Sequence, residues 1–343
     1  MKDAFAAEYP KIISAQPFLI RETGPKFVMD MIGRLARTED IRFSPDGKKL
    51  AIAGYARQSV VIFDVSVDLS GAAPQITMSD YVELNSDVFN FPHGLDFVDN
   101  TTLVVASREG AVTVFDVPAP GPEQQEVQAA PLVTLTKADT LKKLHSPGSV
   151  AVTEVTPESY GLLVCNNYRH RITQHRISRR PAHKVARNRI VLERGLNVPD
   201  GVALSSDKRF IAISNHFVHE VFIYHNDDKN HRRTKPSGIL KGLDFPHGLR
   251  FFGEDRYLMV ADAGLPYMRL FHSADGRWQG EHAPLCAIRI MSDEVYMKGH
   301  YFHQEGGPKG LDFSPDGQIL ATTCEMQPLT FHHMPPLLAA ATG

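Results

Sequence analysis

The sequence predicts an all-β fold, a six-bladed β-propeller of four-stranded antiparallel blades. Three observations predict it. One short phrase that opens an alternating strand recurs six times, strands rather than helices fill the intervals, and the last unit stops before its outer strand.

The phrase is a short apolar or proline step, a polar residue, usually glycine, then the strand. It reads Thr38-Glu39-Asp40-Ile41-Arg42-Phe43, Pro92-His93-Gly94-Leu95-Asp96-Phe97 and Pro147-Gly148-Ser149-Val150-Ala151-Val152. It continues as Pro199-Asp200-Gly201-Val202-Ala203-Leu204, Pro246-His247-Gly248-Leu249-Arg250-Phe251 and Pro308-Lys309-Gly310-Leu311-Asp312-Phe313. Successive first positions lie 54, 55, 52, 47 and 62 residues apart.

The interior of each unit is justified in order. A turn of the Asp-Gly kind follows the first strand, as in Ser44-Pro45-Asp46-Gly47 and Ser314-Pro315-Asp316-Gly317. An apolar second strand comes next, as in Leu103-Val104-Val105-Ala106, Phe210-Ile211-Ala212-Ile213 and Tyr257-Leu258-Met259-Val260. A third strand alternates, as in Ser59 to Val65 and Ala111 to Val117. Fourth strands are weaker, Ile190-Val191-Leu192 being the clearest. After Leu329-Thr330-Phe331 only a Pro- and Ala-rich tail remains. The segment around Pro17-Phe18-Leu19-Ile20 is therefore expected to add the outer strand of the last blade and close the ring. The expected organisation is one domain over 1–343: an N-terminal segment 1–37, six repeats over 38–333 and a tail 334–343.

Composition narrows the class. The chain has 343 residues, 43% hydrophobic and 22% charged, with a formal net charge of −2. That balance gives no global reason to expect DNA or an anionic membrane as partner. No apolar run approaches the roughly 20 residues of a spanning helix. The first eight residues carry an early acid and no apolar stretch, which argues against a secretory signal. Cys165, Cys286 and Cys324 are odd in number and widely spaced, neither a disulfide framework nor a zinc ribbon. The expected location is the reducing cytoplasm.

The units resemble NHL-repeat and gluconolactonase-like (senescence-marker-protein-like) six-bladed propellers, over nearly the whole span from Thr38 to His333. Val260-Ala261-Asp262-Ala263-Gly264 followed by Met268-Arg269-Leu270-Phe271 carries the likeness best. The resemblance implies a propeller whose channel can hold a site. The wider group includes gluconolactonase-type hydrolases, strictosidine-synthase-like enzymes, amidating lyases and non-catalytic interaction modules. The first and third of these place a divalent metal in the channel. Here two ring positions are histidine and one is lysine, which departs from the carboxylate-and-asparagine ring of the gluconolactonase type.

In a four-stranded blade, the entry to the innermost strand and the link between strands two and three lie at the same end. That geometry puts Glu39, His93, Gly148, Asp200, His247 and Lys309 in one circle. The links add Tyr55, Arg57, Arg108, Glu109, Asn166, Asn167, Tyr168, Arg169, Asn215, His216, Asp262 and Glu325. Glu39, His93, Asp200 and His247 are the candidate ligands for zinc, iron, manganese or calcium, imidazole favouring the first three and an all-oxygen set the last. Asp262, Glu325 and Lys309 are the candidate catalytic groups. Lys309 can bind an anion or act as base or nucleophile, or pair with Glu39 or Glu325. Arg57, Arg108, Asn166, Tyr168, Arg169, Asn215, His216 and Tyr301 are candidates for holding substrate. Tyr301 lies in the loop from Gly299 to Gly307, whose aromatic and imidazole content suits a wall over the funnel or a packed connection.

Two basic stretches, 176–189 and 229–235, fall between third and fourth strands. They suit a solvated hairpin surface, with an acidic partner or RNA as the alternatives. No Gly-x-Ser-x-Gly elbow, phosphate-cradling loop or dinucleotide fingerprint occurs. The expected activity is therefore metal-dependent chemistry on a small polar metabolite, with lactone or ester hydrolysis foremost. The alternatives are an NHL-type protein- or peptide-binding module, and a lyase, isomerase or cyclase using the same funnel. Substrate identity and oligomeric state leave no mark in the residues.

Overall fold

The computed structural model describes residues 11–71, 74–119 and 125–343. Residues 1–8, on which the absence of a secretory signal was argued, lie outside that range. Six sheets, each running from an innermost to an outer strand, make a six-bladed β-propeller. The innermost strands are Ile41–Phe43, Pro92–Asp99, Pro147–Val155, Pro199–Leu204, Pro246–Phe252 and Pro308–Phe313 for blades one to six. They touch in cyclic order, and the sixth returns to the first.

Closure comes from the N-terminal segment. Leu19–Ile20 pairs antiparallel with Thr330–His333 and supplies the fourth strand of blade six. Blades two, three and six are four-stranded antiparallel sheets, and the outer edges of blades one, four and five carry parallel strands that strand counting from sequence misses. Glu126–Gln128 and Glu22–Thr23 lie along Gln75–Asn85 of blade one. Gly280–His282 lies along Gly238–Leu240 of blade four, and Ile12–Ser14 along Cys286–Arg289 of blade five. These strips pair backbone groups that an open edge would leave without partners.

The core is divided rather than central. One apolar cluster fills each of the six gaps between neighbouring blades. Helix Lys26–Gly33 adds Val28, Met31 and Ile32 to the gap between blades six and one, three positions on one helical face. The tail after residue 333 is a helix, Met334–Thr342, whose first turn accepts two prolines because its N–H groups need no partner there. Met334, Leu337 and Ala341 pack it onto blades five and six.

The recurring phrase now has a physical reason. A Cβ on Gly201 would sit 2.2 Å from the carbonyl of His247 in the next blade, and one on Gly248 would sit 2.5 Å from the carbonyl of Lys309. Glycine is required where neighbouring blades approach each other at the axis. The residues before proline in blades two to five, Phe91, Ser146, Val198 and Phe245, take left-handed φ values of 58°, 49°, 55° and 57°. Each offers its carbonyl to the link beyond strand two: Arg108, Asn167, His216 and Ala263 donate N–H groups to them at 2.9–3.1 Å. Strained backbone thus locks two loops together at the same end of every one of these blades.

Part of each basic stretch is ion-paired at the blade surfaces, Arg176 with Glu154, Arg179 with Asp99 and Arg232 with Glu193. No helix among the described residues is long and apolar enough to cross a membrane.

Candidate metal and substrate site

The first circle converges. Glu39, His93, Asp200, His247 and Lys309 are all buried at the channel end where the blades begin. His93 and His247, from opposite blades, have ring centroids 5.2 Å apart, so the channel is narrow enough for both to reach one point. Ligand atoms of Glu39, His93 and His247 all lie within 4.8 Å of one another.

The imidazole orientations are set by the neighbouring blades. His93 Nδ1 lies 2.7 Å from the carbonyl oxygen of Gly148, and His247 Nδ1 lies 3.1 Å from that of Lys309. A carbonyl only accepts, so Nδ1 carries a proton in both rings, and Nε2 holds a lone pair whenever the ring is neutral. Those lone pairs point at carboxylate oxygens. His93 Nε2 is 3.6 Å and His247 Nε2 3.4 Å from Glu39 Oε2, and His247 Nε2 is 3.3 Å from Asp200 Oδ2. Glu39 Oε2 is buried without a hydrogen-bond donor.

The electrostatics keep the acids charged and the imidazole of His93 neutral. Burial pushes Glu39 up, but the Lys309 and Arg37 cations more than offset it and hold it well below the usual carboxylate range. Burial likewise opposes Asp200, and the Arg108 guanidinium foremost brings it strongly down. Burial first, then Arg108, pushes His93 down to about 3. His216, 3.8 Å from Asp200 Oδ2 and bonded through Nδ1 to the Pro246 carbonyl at 3.2 Å, is lowered to about 4, mainly by burial.

Above this cluster opens a cavity of about 50 Å³. Arg37, Arg108, Tyr168, His216, Phe217, Gln304, Glu305 and Lys309 border it together with the four converging side chains. Below the cluster the channel narrows to a hollow of about 10 Å³, the space of a single water-sized sphere.

The structure moves several sequence-predicted residues away from the cavity. Arg57 is held by both oxygens of Glu83 at 2.7 Å in blade one. Asn166, Asn215 and Asp262 end the second strands of blades three, four and five, and each receives a backbone N–H of its own blade, from His145, Asn197 and Asp244. Asp262 is further bound by Arg269 at 2.7 Å, both side chains fully buried inside the blade. Arg169 is exposed, and Tyr301 is 63% exposed on the outside of its loop. Glu325 is half-buried near Arg37, Glu305 and Lys309 and is raised by burial, but it does not border the cavity. Lys309 pairs with Glu305 at 2.5 Å rather than with Glu39 or Glu325.

The residues that face the funnel from the links stand one position later: Arg108, Asn167 and His216. Asn167 Nδ2 donates to Asp200 Oδ1 and fixes that carboxylate. Arg37, Gln304, Glu305, Val198 and Phe217 were absent from the sequence-predicted circle. Arg37 binds Glu39 Oε1 at 2.5 Å and lies 4.7 Å from the centre of the Tyr55 ring. Its place two residues before Glu39 was the available signal.

Comparison with known proteins agrees on the fold. Residues 28–160 match the family described as the lipoprotein LpqB β-propeller domain, a stretch of less than half the chain. No curated protein matches. A chain of a mitotic checkpoint complex is similar at a TM-score of 0.53 and 13% identity, over 86% of this chain and 90% of that one. A protein provisionally assigned as a gluconolactonase is similar at a TM-score of 0.52 and 11% identity, over 87% of this chain and 89% of that one. At such identities the likeness concerns the fold.

Proposed function

We propose that the chain is a metal-dependent enzyme that hydrolyses a lactone or other ester of a small polar metabolite in the propeller funnel. One observation carries the reading: two imidazole Nε2 atoms converge within 3.6 and 3.4 Å of one buried carboxylate oxygen, beyond good hydrogen-bond geometry. Lone pairs facing lone pairs repel, and a cation between them turns the same geometry into attraction. The Nδ1–H bonds to the Gly148 and Lys309 carbonyls are the outer contacts that orient metal-bound histidines elsewhere. Two nitrogens with carboxylate oxygen suit zinc, iron or manganese better than calcium. Glu39, His93 and His247 would hold the ion, with Asp200 beside them.

A bound ion of this kind lowers the pKa of a water and polarises a carbonyl. The chain's own residues do the rest. His216, kept neutral by burial and bordering the cavity, is placed to accept a proton from water, and the ionised Asp200 stabilises the imidazolium that results. Arg108 reaches into the cavity with Nη1 free of any hydrogen-bond partner and lies 5.8 Å from the centre of the Tyr168 ring, placed to hold an oxygen of the substrate. The gluconolactonase-like neighbour supports lactones as the first substrates to try.

The test is metal analysis of protein purified without chelator, followed by a pH-stat assay on five- and six-membered aldonolactones. One bound metal per chain and metal-dependent ring opening are expected. Metal-free protein that opens no lactone and melts at the same temperature with zinc, manganese or calcium would overturn the proposal and leave an interaction module.

A further inference from the structure

The funnel contains a carboxylate that belongs to the wall. Glu305 sits in the loop between helix Asp293–Gly299 and the innermost strand of blade six. Its Oε1 lies 3.2 Å from Arg37 Nη2 and its Oε2 lies 2.5 Å from Lys309 Nζ. Both cations border the cavity above Glu39, His93 and His247.

The bonds around Glu305 are local, Glu305 N donating to the Phe302 carbonyl and His300 Nδ1 to that of Glu305, while Gly307 just beyond is tied to the Ala263 carbonyl. Tyr301 and Phe302 are 63% and 70% exposed on its outer side. The link from loop tip to funnel is the Glu305 carboxylate itself. A buried lysine needs a counter-charge at all times, because stripping one from a desolvated cation is costly. Replacing the Glu305 carboxylate by another carboxylate leaves the charge count unchanged. A neutral group would leave Lys309 with less counter-charge, and phosphate would seat up to two negative charges on one group beside Glu39 and Glu325, which already face the two cations.

Resting on the reading of the metal cluster as catalytic, we propose that Arg37 and Lys309 form a carboxylate-binding subsite beside it. Glu305 fills that subsite in the free protein, and the substrate carries a carboxylate that takes its place. The loop then swings outward with Glu305 and presents Tyr301 and Phe302 as the rim of the entrance. Glu305 acts as a built-in competitor: while it is seated, only the fraction of molecules with the subsite open binds ligand, and the apparent affinity falls by that fraction.

The experiment is calorimetric titration of succinate, succinamide and inorganic phosphate into the wild type, Glu305→Gln and Lys309→Met, each in chelated and in zinc-supplemented form. Glu305→Gln should bind succinate about tenfold more tightly than the wild type, roughly the worth of one hydrogen bond to a charged group. Lys309→Met should lose succinate binding, and succinamide should bind none of the three proteins. Where Lys309→Met does not fold, Arg37→Gln, at a more exposed position, replaces it. Unchanged or weaker succinate binding by Glu305→Gln overturns the proposal, and so does phosphate binding as tight as succinate. The chelated series separates the two readings. Tighter succinate binding by Glu305→Gln without any metal uptake sinks the metal reading and keeps the subsite; metal uptake without the succinate effect does the reverse.

Discussion

Replacing both His93 and His247 by alanine tests the proposed metal cluster at its weakest joint, because these rings would supply the two nitrogen ligands and make the blade-to-blade Nδ1–H bonds. Zinc at about one hundred times its Kd should stabilise the wild type by about 2.7 kcal/mol. For 343 residues, at about 2.1 cal/mol/K of unfolding entropy per residue, that corresponds to a rise in Tm of about 4 °C. The double variant loses two buried hydrogen bonds, each worth about 1 kcal/mol, so its metal-free Tm should fall by a few degrees. The discriminating quantity is therefore the metal-induced difference within each protein, not the Tm itself. Scanning calorimetry of chelated and zinc-loaded samples, paired with elemental analysis, measures it. A shift of about 4 °C in the wild type and none in the double variant is expected. An equal shift in both proteins places the metal elsewhere and refutes the reasoning.

Three further outcomes follow from named residues. His93 is held near 3 in the folded chain and titrates near 6.5 when unfolded, so the unfolded state takes up a proton that the folded state refuses. Its contribution is full above pH 6.5 and falls by about 1.4 kcal/mol per pH unit as pH drops towards 3; urea unfolding at pH 7.5, 5.5 and 4.5 should show His93→Gln losing that part of the slope. Gly201→Ala drives a Cβ to 2.2 Å from the His247 carbonyl and should cost about 3 kcal/mol. Gly33→Ala, with nothing within 4 Å, should be neutral or stabilise by up to about 1 kcal/mol, and comparing the two urea midpoints checks the pair. Cys165, Cys286 and Cys324 are free and buried, with burial pushing the Cys286 and Cys324 thiols up to about 11. A thiol-specific chromogenic reagent should label none within minutes in buffer and three in denaturant, and prompt labelling of the native protein would contradict their burial.

The architecture was legible because its signal is repeated and has a steric cause. Pro-X-Gly recurs in four of the six units because its glycine, at 94, 201, 248 and 310, is where neighbouring blades meet. Glu39, His93, Asp200 and His247 were legible for the same reason: they occupy the X position or its equivalent, and one rule places them all. At the links the sequence named Arg108, Asn167 and His216, which face the site, together with neighbours that do not. Asn166, Asn215 and Asp262 look like funnel groups in a sequence, yet their oxygens accept the amides of His145, Asn197 and Asp244 and close a turn within each blade. Strand parity sends the next residue inward, which is why Arg108, Asn167 and His216 face the site. Arg37 and Glu305 escaped because they precede their phrases by variable distances, where no repeat aligns them.

The asymmetry of the ring argues for a designed opening. At the inward-facing link position the chain carries Tyr55, Arg108, Asn167, His216, Ala263 and Glu325, so blade five alone presents a bare methyl group. That gap is not empty space. Gly307 donates its N–H to the Ala263 carbonyl at 2.9 Å, and a Cβ on Gly307 would lie 2.4 Å from the Asp262 carbonyl and 2.7 Å from that of Ala263. The loop of the longest unit can therefore pass this link only with glycine as the incoming residue. The excess length of that unit, the alanine of blade five and the paired Gly306-Gly307 serve one end: they bring Glu305 to Arg37 and Lys309. A scaffold built from six equivalent sectors has used one of them to admit a segment from outside the repeat, and the side chain that segment delivers is the one that pairs with Arg37 and Lys309 beside Glu39, His93 and His247.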